Sequence, residues 1–161
     1  MEKPAKSTAA MVENGPSPYL GLHRRGVDNS RVILPVDWRA DGFPKDFMVL
    51  PWPVITPECL LVLPPSRWEL LQKNLENLSL ADDSGAMVER LISSSTSRRS
   101  LDSYGRLPLP EEAAKSLGLQ SEAMLVGRLN KFEVWNPARF AATLAKPDVQ
   151  VIANALKSIK I

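Results

Sequence analysis

"LDSYGRLPLP", Leu101–Pro110, and "VDNSRVILPVDWR", Val27–Arg39, decide how this chain is built. Laid over one another, they put Asp28 on Asp102, Arg31 on Arg106 and Pro35 on Pro110, if the first copy has lost one residue inside its turn. A second pair of blocks agrees. "LLVLPPSRWELL" lies on "KFEVWNPARFAA", so Leu63 meets Trp135, Pro65 meets Pro137, Arg67 meets Arg139 and Trp68 meets Phe140. The offset falls from 75 at Arg31 and Arg106 to 72 at Pro65 and Pro137, so the first copy carries about three extra residues around "DGFPKDFMVLPWPVITPE". One module is written twice.

Each module reads as strand, turn, strand, short helical or loop stretch, strand, strand, helix. "STSRRSLD" and "GRLPLP" are the arms of a hairpin, with Asp-Ser-Tyr-Gly as turn chemistry and Gly105 free to take positive φ. "LGLHRRGVD" and "SRVILP" are the matching arms in the first copy. "FMVL" and "CLLVL", then "AMLVG" and "KFEVW", are apolar runs of strand length. Ser66 and Glu69 have the spacing of a capping box ahead of Trp68, Leu71, Leu75 and Leu78, which line one helical face and turn the Trp68 ring inward. Asn136 before Pro137 is the matching helix start. Asp83 or Ser84 is placed to cap "GAMVERLISS", and Val149, Ile152, Leu156 and Ile159 form a last apolar stripe, expected to pack on the body.

The 161 residues are long enough for a real core, and 44% hydrophobic with 24% charged is ordinary for a globular chain. A net charge of +2 means that any attraction for polyanions must come from basic residues gathered on one face. The lone Cys59 sits among apolar neighbours as a buried structural thiol. The first eighteen residues lack the apolar run of a signal peptide and read as a flexible tail, and no run is long enough to cross a bilayer. A reducing cytoplasm is the expected setting.

Catalysis has little to work with: one histidine, His23, one cysteine, and no metal, phosphate-loop or dinucleotide motif. No cofactor, metal or small-molecule substrate is expected. A pseudo-twofold pair of aspartates, Asp28 and Asp102, could mimic an aspartic-protease dyad. The D-[ST]-G loops that chemistry needs are absent, since the tripeptides are Asp28-Asn29-Ser30 and Asp102-Ser103-Tyr104. The residues suit another role better. An Asp opening a turn accepts backbone N–H groups while its charge holds a guanidinium. If the halves are related by a pseudo-twofold axis, Arg31 and Arg106 come to one side. Arg24 and Arg25 precede the first turn as Arg98 and Arg99 precede the second. An Arg pair is also what a solvated strand end looks like, but here it recurs in both copies, and Arg on a stiff loop suits phosphate and guanine edges.

With these segments assembled, the chain resembles the MraZ family of bacterial DNA-binding regulators over about residues 19 to 146, most specifically in "LDSYGRLPLP" and "MLVGRLNKFEVW". The resemblance implies an α+β fold of two AbrB-type swapped-hairpin β modules closing a pseudo-twofold barrel, with helices after each module. It implies that the D-x-x-G-R turn is the DNA-binding signature, which Asp102 and Arg106 match in full. Asp28 and Arg31 match with a shortened turn lacking the glycine, and Leu20 stands where the family has an arginine near the chain start. The expected organisation is a tail over 1–18, a first module over 19–80, a connecting helix over 81–95, a second module over 96–146 and a C-terminal helix over 147–161.

The function implied is that of a transcriptional regulator, a repressor, in the cytoplasm and on the nucleoid. It would bind short promoter repeats of the division and cell-wall gene cluster as a ring-shaped homo-oligomer. Its partners would be double-stranded DNA and further copies of itself, with no membrane. The expected DNA-binding residues are Arg24, Arg25, Asp28, Arg31, Arg98, Arg99, Asp102 and Arg106. The alternative is an oligomeric interaction scaffold without a DNA target. Salt separates the two, because binding through several Arg–phosphate contacts weakens steeply as salt rises and apolar assembly does not.

Overall fold

A computed structural model describes residues 18–160; the expected flexible tail lies outside the described residues but for Pro18. Eight strands run in one antiparallel sheet: β1 (Leu22–Asp28), β2 (Arg31–Ile33), β3 (Asp46–Trp52), β4 (Cys59–Leu63), β5 (Ser97–Ser100), β6 (Arg106–Pro108), β7 (Glu122–Gly127) and β8 (Phe132–Trp135). Five helices accompany them: α1 (Pro65–Ala81), α2 (Asp83–Ser95), α3 (Glu111–Ser116), α4 (Pro137–Ala145) and α5 (Val149–Leu156), with a 3-10 turn at Val36–Arg39. The class is α+β, as expected, and the sheet curls into a nearly closed barrel.

Strand order is β5-β3-β4-β8-β7-β1-β2-β6. Each half hands its first strand to the other half: β1 pairs with β7, and β5 with β3. The two remaining cross-pairs sit on the pseudo-twofold axis. Between β2 and β6, Val32 faces Leu107, with Arg31 opposite Pro108 and Ile33 opposite Arg106; between β4 and β8, Leu61 faces Glu133. Equivalent residues therefore trade places about each centre, and the repeat in the sequence becomes a twofold in space. The length difference between the copies falls mainly in one loop. Six residues separate Trp52 from Cys59, where two separate Arg128 from Lys131.

The barrel interior is filled by Val32, Leu34, Phe47, Val49, Leu60, Val62, Leu107, Leu109, Leu125, Phe132 and Val134, all buried. Trp38, at the 3-10 turn, closes one end against Tyr19 and Phe132, with ring centroids 5.3 and 4.9 Å away. Each such side chain contributes about 1.5 to 3 kcal/mol relative to exposure. A second cluster lies outside the barrel, where Leu50, Leu61 and Leu63 meet Leu75 of α1 and Ile92 of α2. That is why β4 is buried at every position: one face looks into the barrel and the other is roofed by helices. Cys59 is buried there, as expected, and burial pushes its thiol up in pKa.

Helix starts depart from expectation in two places. The Ser66–Glu69 capping box does not form; α1 begins at Pro65, its N-cap is Pro64, and no side chain caps it. Proline at the first position starts the helix two residues early and leaves Ser66 inside it. Trp68 is accordingly part-exposed and packs on the outer cluster from its rim. Helix α2 is capped by Asp82, which accepts from the Gly85 N–H at 2.8 Å, not by Asp83 or Ser84. Asn136 caps α4 as expected, accepting from the Arg139 N–H at 3.0 Å. The last stripe does not pack on the body of the single chain: Val149, Ile152, Leu156 and Ile159 are all exposed. Asp148 caps α5 as a separate helix after Pro147, and no residue of it is buried.

Candidate nucleic-acid interface

The two hairpin turns are built differently. Asn29 and Ser30 connect β1 to β2 with φ of 50° and 57°, the two positive values of a type I′ turn, whose twist suits a two-residue hairpin. The second turn has three residues between Asp102 and Arg106. The Gly105 N–H donates to the Asp102 carbonyl at 3.0 Å, the Asp102 N–H donates to the Arg106 carbonyl at 2.9 Å, and Gly105 lies at φ +79°. This is a type I turn followed by a glycine bulge. The residue missing from the first copy is the bulge.

Asp102 organises the second turn. Its Oδ1 accepts from the backbone N–H groups of Tyr104 and Arg106, both at 2.9 Å, and its Oδ2 accepts from Arg106 Nε at 2.7 Å. The Arg106 N–H, then its side chain and the Tyr104 N–H, hold the Asp102 carboxyl below the usual aspartate range despite partial desolvation. Arg106 also lies over the Tyr104 ring, 5.1 Å from its centroid. Arg31 of the other half reaches the same carboxylate, its Nη1 4.0 Å from Oδ2. Guanidinium groups from both halves thus share one aspartate, and their side chains stay 46% and 35% exposed for Arg31 and Arg106.

The other expected residues divide. The Asp28 carboxylate makes no hydrogen bond or ion pair among the described residues, so it does not orient the first turn; Arg31, its backbone partner in the ladder, turns its side chain across the axis to Asp102 instead. The reason is geometric: the first turn is one residue shorter and takes positive φ at both of its positions, so its backbone does not follow the route that brings the Tyr104 and Arg106 N–H groups onto Asp102. The Arg pairs split because neighbouring residues in a strand face opposite ways. Arg24 and Arg98 lie on the exposed face of β1 and β5, and Arg24 is tied to Glu122 at 3.2 Å. Arg25 and Arg99 are half-buried on the other face. Arg25 donates to the Arg24 carbonyl at 3.0 Å and Arg99 to Ser97 Oγ at 3.3 Å. Arg99 lines a hollow beside Asn29, Ser30 and Arg31.

The sequence pattern does not single out Arg39, and the structure does. Its Nε donates to the Leu34 carbonyl at 3.0 Å, while the Leu34 N–H donates to the Gly105 carbonyl at 3.0 Å. A methyl group built on Gly105 would lie 2.6 and 2.8 Å from Arg39 Nη1 and Nε. Gly105 is therefore needed twice, for its φ and for the guanidinium lying on it.

A protein of Shewanella denitrificans named Transcriptional regulator MraZ is 38% identical over 104 residues, covering 65% of this chain and 68% of the relative. The chain belongs to the MraZ family. A model of that family, described as "MraZ protein, putative antitoxin-like", matches residues 92–156. Relatives of the same name from Serratia proteamaculans and Tolumonas auensis are 40% identical over 78 residues and 36% over 94, or 48% and 58% of this chain. The chain spans 51% and 61% of the length of these two. The stretch matched by the MraZ model includes the whole second turn, with Asp102, Gly105 and Arg106, and excludes the first. In the D-x-x-G-R stretch of this turn, each named position has its own part in the geometry, since the Asp accepts, the Gly bends and makes room, and the Arg is held.

Proposed function

We propose that the chain is a sequence-specific DNA-binding transcriptional regulator, a repressor of the division and cell-wall gene cluster that sits on short promoter repeats as a ring-shaped oligomer. The observation that carries this reading is the Asp102 carboxylate shared by Arg106 and Arg31, which holds two guanidinium groups from different halves on one exposed surface. A carboxylate between two such cations leaves net positive charge and fixes its position, which suits a phosphate backbone and the acceptor edge of guanine. The name of the relatives, Transcriptional regulator MraZ, agrees with it. One barrel offers few contacts, so several copies on repeated sites would raise affinity by avidity. Asp28 takes no part in this arrangement, and Arg24, spent on Glu122, and Arg99, turned to Ser97, stand outside the contact.

The test is a gel shift on duplex DNA from upstream of the protein's own gene, read at two salt concentrations. Arg106→Ala keeps the melting curve and the oligomer size and weakens binding by about 5- to 150-fold, the range for one lost specific Arg contact. Equal affinity of wild type and variant removes the shared-carboxylate site from the interface.

A further inference from the structure

The surface around the two turns is not charged alike. Counting on from the matched prolines Pro35 and Pro110, Arg39 corresponds to Ala114, and Val36 and Asp37 correspond to Glu111 and Glu112. The second turn thus gains a guanidinium laid on Gly105. The first turn faces a hollow whose rim includes Arg31, Arg99, Glu111 and Glu112, with both glutamates exposed. Among the described residues, Arg39 spends only its Nε, on Leu34; neither Nη nitrogen donates to the protein. Asp102, the carboxylate of this turn, is occupied by Arg106 and Arg31, so it does not neutralise Arg39. A part-buried guanidinium with one nitrogen anchored and two unspent is pre-organised for a phosphate oxygen.

We propose that the chain grips the phosphodiester backbone of duplex DNA from one end of its pseudo-twofold surface: Arg39, lying on Gly105, is a phosphate contact of the second turn, which Arg31 joins by reaching across to Asp102, whereas Glu111 and Glu112 hold Asn29, Ser30 and Arg99 off the polyanion. Two halves descended from one module are then unequal in use. Arg39 lies outside the D-x-x-G-R pattern, and the glycine of that pattern is what admits it. Arg99, an arginine of comparable burial at the first-turn end, shares its hollow with two carboxylates and makes no phosphate contact.

This inference rests on the DNA-binding reading, and the experiment separates the two. Binding of a fluorescent duplex from upstream of the protein's own gene is measured by anisotropy over a series of salt concentrations. Wild type is compared with Arg39→Gln and Arg99→Gln. Glutamine places its Nε2 where arginine has Nε, so each variant keeps the hydrogen bond to Leu34 or Ser97 and loses only the charged end; melting curves check that both fold. Arg39→Gln is expected to weaken binding about tenfold and to lower the salt slope by about one, as for one lost phosphate contact. Arg99→Gln is expected to stay within about twofold, as for a residue outside the contact. Unchanged affinity in Arg39→Gln overturns the contact. Weaker binding at an unchanged slope overturns it too, by making Arg39 a prop. Equal losses in both variants overturn the one-ended grip. Wild-type protein that fails to bind any duplex removes the DNA-binding reading itself, and this inference with it.

Discussion

The turn at Asp28–Arg31 and the turn at Asp102–Arg106 start from the same landmarks and reach the same surface by different backbone routes. The first is closed by two residues at positive φ, neither of them glycine, and its aspartate is idle. The second is one residue longer, and that residue, Gly105, frees two N–H groups for the Asp102 carboxylate and makes room for Arg39. A single insertion thus changes an aspartate from a bystander into the hub of a charged cluster.

The largest effect that separates the turns is on DNA binding. Asp102→Ala frees Arg106 and the turn backbone together and is expected to weaken promoter binding by about tenfold or more, while Asp28→Ala stays within about twofold. Equal losses would erase the distinction. Next comes Gly105→Ala. A Cβ there meets Arg39 and is strained by its positive φ, so urea unfolding should show a loss of about 1 to 3 kcal/mol; an unmoved midpoint would show that the guanidinium swings aside freely. Ser30→Gly runs the other way: relief of a left-handed serine should stabilise the protein by up to about 1 kcal/mol, and a loss would mean that Ser30 does more than turn the chain.

The smallest effect is in acid. The native Asp102 carboxyl is depressed, chiefly by the Arg106 N–H. The stability it lends is therefore fully present above the ordinary aspartate range and is lost as pH falls through the depressed value. NMR of the carboxyl carbon should show a midpoint below that range. A midpoint at or above it would mean that the turn's hydrogen bonds are open in solution.

The repeat, the strand runs and the complete second turn are legible in the sequence because each rests on local chemistry: Asp before Gly and Arg, and prolines at matched offsets. The exchange of strands between halves comes from the family resemblance, since nothing in β1 announces that its neighbour is β7. Arg39 escapes for the same reason. Its role exists only because β2 lies beside β6, which brings the segment after one hairpin under the turn of the other. The α1 start misleads because two prolines, Pro64 and Pro65, outrank a serine with capping-box spacing. The stripe on α5 shows a period, and a period says that one face is apolar without saying what covers it. For the turn arginines, sequence brings Arg31 and Arg106 to one side, where both meet Asp102, but pairs Arg31 with Asp28, because the lost residue reads as a gap and not as a change of turn type.

The pairing of β1 with β7 has a consequence for synthesis. Arg24 and its partner Glu122 stand 98 residues apart, so at about 5 to 20 residues per second the first hairpin emerges from the ribosome roughly 5 to 20 s before its neighbour exists. During that interval its open edge must be kept from other chains, and neither half, expressed by itself, has the strands to close its own barrel.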